Sequence, residues 1–148
     1  MKLWIAADHG AFELKDFLKN KFPKIEWVDL GTHSSESVDY PDYAQKLCAE
    51  ILKNRHGKEL LEPCGVLLCG SGVGVSIAAN RHEGIRAVLA WNNEVAELSR
   101  QHNAANVLCM GGRLIAPDLA STILETWLKT PFQGGRHERR IEKIEHKG

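Results

Sequence analysis

Five times along this chain a short apolar run gives way to a longer amphipathic stretch, and that alternation limits the folds open to it. The most extreme run is CGVLLCG, Cys64–Gly70, in which every side chain is apolar. A strand with no polar face has to be covered on both sides, as the strands of a parallel sheet are. Four more runs read as strands: Lys2–Ala7, Ile25–Gly31, Ile85–Trp91 and Asn106–Gly112. Between and after them the spacing predicts helices over Phe12–Phe22, Val75–Arg81, Asn93–His102 and Pro117–Lys129. One more opens near Pro41, with Ala44, Leu47, Cys48, Ile51 and Leu52 on one stripe. Right-handed crossovers then build an α/β fold, a Rossmann-like doubly wound five-stranded parallel sheet with helices on both faces. A charged C-terminal helix is expected over Glu138–Lys147, after the glycine break in PFQGG, which would let it swing toward a partner subunit. With 148 residues and no linker or repeat, the chain reads as a single domain over 1–148.

Ligands of such sheets bind outside the carboxyl ends of the strands. The polar residues at those ends are therefore the first candidates: Asp8 and His9 after the first strand, the polar loop after Leu30, Cys69 to Gly74 after the third strand, and Arg113 after the fifth. The formal net charge of zero gives no footprint for nucleic acid or for an anionic membrane surface. The opening MKLWIAADHG carries too short an apolar run for a signal peptide or a span, so a cytoplasmic protein is the expectation.

There are four cysteines, with no C-x-x-C pair and no histidine cluster to complete a zinc site, so no metal is expected. Cys48, Cys64 and Cys109 fit as small buried hydrophobes. Cys69 differs because it opens the loop CGSGVG. Gly70, Gly72 and Gly74 are spaced G-x-G-x-G, which is neither a dinucleotide fingerprint nor a P-loop. The loop still offers backbone N–H groups at a helix start, suited to a phosphate or a developing oxyanion. An ordinary thiol, with a pKa of about 8.5, is mostly protonated at neutral pH, and convergent N–H groups favour its thiolate. A thiolate beside an anion hole suits either acyl transfer as a nucleophile or proton abstraction next to a carbonyl.

His102 and Asn103 fall at the end of a predicted helix, where both also serve as ordinary capping residues. Arg136 and Arg140 are four apart and share one helix face, fit to grip a phosphate or simply to face solvent. Asp39, Tyr40 and Tyr43 lie in a polar loop and helix start, and Tyr43 could line a sugar pocket or pack.

Six segments taken together, ADHGAFELK, SVDYPDYA, GVLLCGSGVGVSIAANR, GIRAVLAW, LSRQHNAANVLCMGGR and GGRHERRIEKI, resemble the ribose-5-phosphate isomerase B family. That family includes isomerases of galactose 6-phosphate and allose 6-phosphate. The resemblance implies interconversion of an aldose and a ketose phosphate through an enediolate, without metal or other cofactor. It implies a homodimer, or a dimer of dimers, with active sites shared between subunits. On matching positions, Cys69 resembles the base that moves the proton between C1 and C2. Ser71 and the N–H groups from Gly70 through Gly72 and Val73 to Gly74 would stabilise the enediolate. Asp8 and His9 would contact the sugar, with Asp8 relaying protons between oxygens. His102 resembles the group that opens the furanose ring, with Asn103 beside it. Arg113, Arg136 and Arg140 resemble the anion-binding arginines, and Tyr43 a pocket tyrosine. One branch of the family lacks the cysteine and uses a glutamate where this chain has Val75, which carries no proton. Ser71 stands where some members have threonine and keeps the hydroxyl.

Overall fold

The computed structural model describes residues 1–146. Five parallel strands form one sheet: β1 (Lys2–Ala7), β2 (Glu26–Asp29), β3 (Gly65–Cys69), β4 (Ala87–Leu89) and β5 (Val107–Gly111), in the order β2-β1-β3-β5-β4. The helices are α1 (Phe12–Lys21), α2 (Tyr40–Lys53), α3 (Val73–Ala79), α4 (Asn93–Asn103), α5 (Pro117–Lys129) and α6 (Arg136–Glu145). None of the described helices is long and apolar enough to cross a membrane.

Alternation along the strands sorts their side chains into two cores. Leu3, Ile5, Val66, Leu68, Leu108 and Met110 face α1, α4 and α5, where Leu14, Leu18, Ile123 and Trp127 complete the packing. Trp4, Ala6, Leu67, Cys69, Val107 and Cys109 face α2 and α3, against Leu47, Cys48, Ile51 and Val75. Because both faces are covered, β3 and β5 are buried at every residue. The expected fold class is therefore the one observed, with the C-terminal helix α6 included.

The chain leaves β1 for β2 through α1 on one face, and leaves β3 for β4 through α3 on the other. Neighbours whose crossovers part in this way open a crevice at their carboxyl ends. The crevice here lies between Ala7–Asp8 and Cys69–Gly70.

Two elements differ from the reading of the sequence. β4 spans only three residues of the apolar run Ile85–Trp91. Its start is taken by Arg86, whose N–H donates to Asn106 Oδ1 at 2.8 Å, and its end by Trp91, which projects outward. α6 does not swing away. It lies back on α4, burying His137 and Ile141, and begins two residues earlier than expected. Lys147, the expected end of that helix, falls outside the described residues.

Candidate functional site

Cys69 ends β3, and its Sγ accepts the N–H of Gly72 at 3.1 Å. Gly72 reaches this position with a φ of +79°, in the left-handed region. A Cβ there would stand 2.6 Å from Leu89 Cδ1 and 2.8 Å from the carbonyl carbon of Met110, so the turn requires glycine. Ser71 Oγ accepts the Val73 N–H at 3.2 Å. Two N–H groups of the loop thus serve its own side chains. Those of Gly70, Ser71 and Gly74 have no partner in the chain among the described residues, and they remain for an anion.

The loop after β5 is tied to the glycine loop through backbone. Gly112 N–H donates to Cys69 O and Arg113 N–H to Gly70 O, each at 2.9 Å. This lays the Arg113 side chain across Gly70, where a Cβ would come 3.3 Å from Arg113 Cδ. Asp8, only 8% exposed, accepts the Gly10 N–H at 2.9 Å. A Cβ on Gly10 would meet Asp8 Oδ1, Gly70 N and Arg113 Nη2, all between 3.2 and 3.4 Å. A carboxylate, a free amide and a guanidinium therefore converge at the crevice beside the thiol.

One hollow is lined by Asp8, Cys69, Gly70, Ser71, Gly74 and Arg113 together with Tyr40 and Leu114. His9 lines the adjoining hollow, which shares Arg113. The Val38 N–H donates to His9 Nδ1 at 3.2 Å, so the neutral His9 ring carries its proton on Nε2. Tyr43, expected in the pocket, lines a different hollow with Asp39 and Lys46, and its ring lies beside Gly31. Tyr40 takes the place beside the thiol, its ring over Gly74, where a Cβ would stand 2.6 Å from Cε1. Tyr40 starts α2 and Tyr43 sits a turn further along, beside Gly31, and nothing in their spacing tells the two apart.

The other thiols are set apart by burial. Burial pushes Cys48 up to about 12, and Cys64 to about 11 despite the lowering influence of Arg100. Burial, then Cys48 and Cys69, raise Cys109 well above the ordinary thiol range. Among the described residues, no three His, Cys, Asp or Glu side chains gather as metal ligands would.

The remaining candidates form a second group. His102 and Asn103 end α4, Ala104 closes it in the left-handed region, and β5 begins at Val107. A residue between a crossover helix and the next strand lies at the amino edge of the sheet, opposite the crevice. Cys69 is level with Gly111 and Gly65 with Val107, so the two groups are separated by about a strand's length, roughly 13 Å. His137 of α6 stacks on His102, with ring centroids 4.3 Å apart and planes 14° from parallel. Burial, then Arg136, His102 and Arg140, hold the His137 pKa below the usual imidazole value. Arg136 and Arg140 are exposed on this same helix. One chain therefore brings Asp8, Cys69, Gly70, Ser71, Gly74 and Arg113 together, and keeps His102, Asn103, Arg136 and Arg140 apart from them.

An α/β sheet with such a crevice is the frame of many enzymes, and comparison with known proteins identifies this one as an isomerase. The chain belongs to the ribose/galactose isomerase family, whose profile matches residues 3–144. It is similar in structure to a ribose 5-phosphate isomerase of Thermotoga maritima, with a TM-score of 0.91 and 54% identity over 97% of each chain. It is 42% identical over 145 residues to ribose-5-phosphate isomerase B of Escherichia coli, spanning 97% of this chain and 93% of the relative. Ribose-5-phosphate isomerase B of Mycoplasma genitalium, solved with bound ribulose-5-phosphate, matches with a TM-score of 0.88 and 38% identity over 97% of this chain and 93% of that one.

Proposed function

We propose that the protein interconverts ribose 5-phosphate and ribulose 5-phosphate, with Cys69 as the carbon-acid base and a second copy of the chain completing each site. The observation that carries this reading is the Gly72 N–H aimed at Cys69 Sγ in a hollow shared with Asp8, Ser71 and Arg113. Family membership supports the same chemistry.

Ring opening comes first. The C1 hydroxyl loses its proton, the C1–O4 bond breaks and O4 gains a proton. One histidine exchanging protons with both oxygens performs this, and His102 is the candidate. The Cys69 thiolate then takes the proton from C2. The electron pair forms the C1–C2 double bond and leaves charge on O1, which the free amides of the glycine loop meet. The thiol returns its proton to C1 while O2 gives up its own and becomes a carbonyl oxygen. Asp8 carries that proton from O2 to O1. The phosphate does no chemistry, and its binding energy holds the reacting carbons over the sulfur.

His102, Arg136 and Arg140 lie at the wrong edge of the sheet to reach Cys69 of their own chain, which favours their delivery by a second copy. Exposed apolar side chains, among them Val73, Ile77, Trp91 and Leu114, supply surface for that pairing.

The experiment is isomerisation of ribose 5-phosphate by the purified protein, beside allose and galactose 6-phosphates. The pentose should have the highest kcat/KM; a higher value for a hexose would reassign the substrate. Cys69→Ala should abolish turnover and deuterium exchange at C2 while keeping sugar-phosphate binding. Near-normal turnover in that variant would remove Cys69 as the base. Binding without exchange in the unaltered protein would make it a binding module instead.

A further inference from the structure

We infer that His137 is a positioning residue for His102: its ring is the platform that holds the His102 imidazole in the plane needed for proton exchange with the sugar. This rests on the isomerase reading above.

The contact is flat and close, 4.3 Å between centroids at 14°. It joins the last turn of α4 to the first turn of α6, so neither ring rotates without moving the other. His137 is the more buried member, 5% exposed, whereas His102 is half-buried. Its Nε2 is buried with no hydrogen-bond partner among the described residues, so that nitrogen does not anchor the ring; face-to-face contact does. The charges divide the roles further. Burial, then Arg136 and Arg140, disfavour a charge on His137, whereas a positive charge forming on His102 is met by the carbonyl end of α4.

The test compares the unaltered protein with His137→Phe, which keeps a flat ring, and His137→Ala, which removes it. Isomerisation of ribose 5-phosphate should lose about tenfold in kcat with Ala at little change in KM, and recover to within about twofold with Phe. The His102 ring-proton resonances should move in the Ala variant, through loss of the neighbouring ring current, and stay near their original positions with Phe. Full kcat in the Ala variant, or a Phe variant as slow as Ala, would overturn the assignment. A raised KM with kcat preserved would overturn it too, and would place His137 in the anion grip. If Ala prevents folding, the Phe variant decides alone: activity near normal upholds the platform, and activity lost in a folded protein refutes it. Should the unaltered protein fail to isomerise any sugar phosphate, the functional reading falls, while the resonances still decide the ring contact.

Discussion

Arg86 and Glu145 meet at 3.5 Å, joining the residue just before β4 to the end of α6. The other Glu145 oxygen accepts the Gly84 N–H at 3.0 Å. Arg86, 6% exposed, also donates from Nε to the carbonyls of Asn103 and Ala104, and from Nη2 to Leu60 O. One guanidinium thus fixes the backbone next to His102 and holds the helix that carries Arg136, His137 and Arg140.

Replacing Arg86 by Ala should cost about 3 kcal/mol, because three carbonyls and a carboxylate lose a buried cationic partner together. Urea unfolding measures the loss. Amide hydrogen exchange should show α6 opening sooner than β3 or β5. Equal protection of α6 in the variant and the parent would show that this pair does not hold the helix.

The proposed sharing of each site between two copies makes a sharper prediction. Cys69→Ala and His102→Ala should each be nearly inactive alone. Unfolded together and refolded, they should regain roughly one quarter of normal activity, since half the dimers are mixed and each mixed dimer has one intact site. No recovery would mean that each chain works with its own His102.

Gly72→Ala should be among the most damaging single-methyl changes. The Cβ would enter a space already filled by Leu89 and Met110, at a backbone angle that disfavours alanine. Any relief turns the N–H away from Cys69 Sγ. We expect kcat to fall by about a hundredfold or more, as for the loss of a preorganised donor, with destabilisation of about 1–3 kcal/mol. An active, fully stable alanine variant would show that the loop does not depend on this turn.

Asp29 should contribute to the acid stability of the fold. Burial opposes its ionisation, but hydrogen bonds from Lys15, Lys19 and the Gly31 N–H outweigh burial and lower its pKa to about 2. A pKa lowered on folding adds stability that is present above the unfolded value of 3.8 and lost as pH falls toward 2. The contribution is about 2 kcal/mol. Urea midpoints should fall between pH 4 and pH 2 by more in the parent than in Asp29→Asn. At neutral pH that variant should be the less stable by about 3 kcal/mol, since it leaves Lys15, 1% exposed, without its carboxylate. Parallel pH profiles would separate Asp29 from acid unfolding.

Much of this was legible in the residues. CGVLLCG required a strand covered on both faces, and the strand ends led to Asp8, Cys69 and Arg113. The short β4 was not legible, because Arg86 reads as one polar residue in an apolar run until Asn103, Ala104, Asn106 and Glu145 are brought around it. The sequence pointed to Tyr43, and only the docking of α2 shows that Tyr40 faces the loop. The separation of His102 from Cys69 lay within reach. A residue between a crossover helix and the strand that follows belongs to the amino edge, whatever its chemistry suggests. The stack of His102 on His137 was beyond reach, since it depends on where α6 lies, and no spacing along the chain encodes that.

The uneven burial of the thiols has a practical consequence. Cys48, Cys64 and Cys109 are fully enclosed in the core, whereas Cys69 lines the site hollow. Toward an alkylating reagent the folded protein should therefore behave as though it had a single cysteine, and toward the same reagent in denaturant as though it had all of them. A ligand seated over the sulfur shields that one group. Counting adducts by intact mass then turns the protein into its own occupancy gauge, reading sugar-phosphate binding without a dye, a coupling enzyme or turnover.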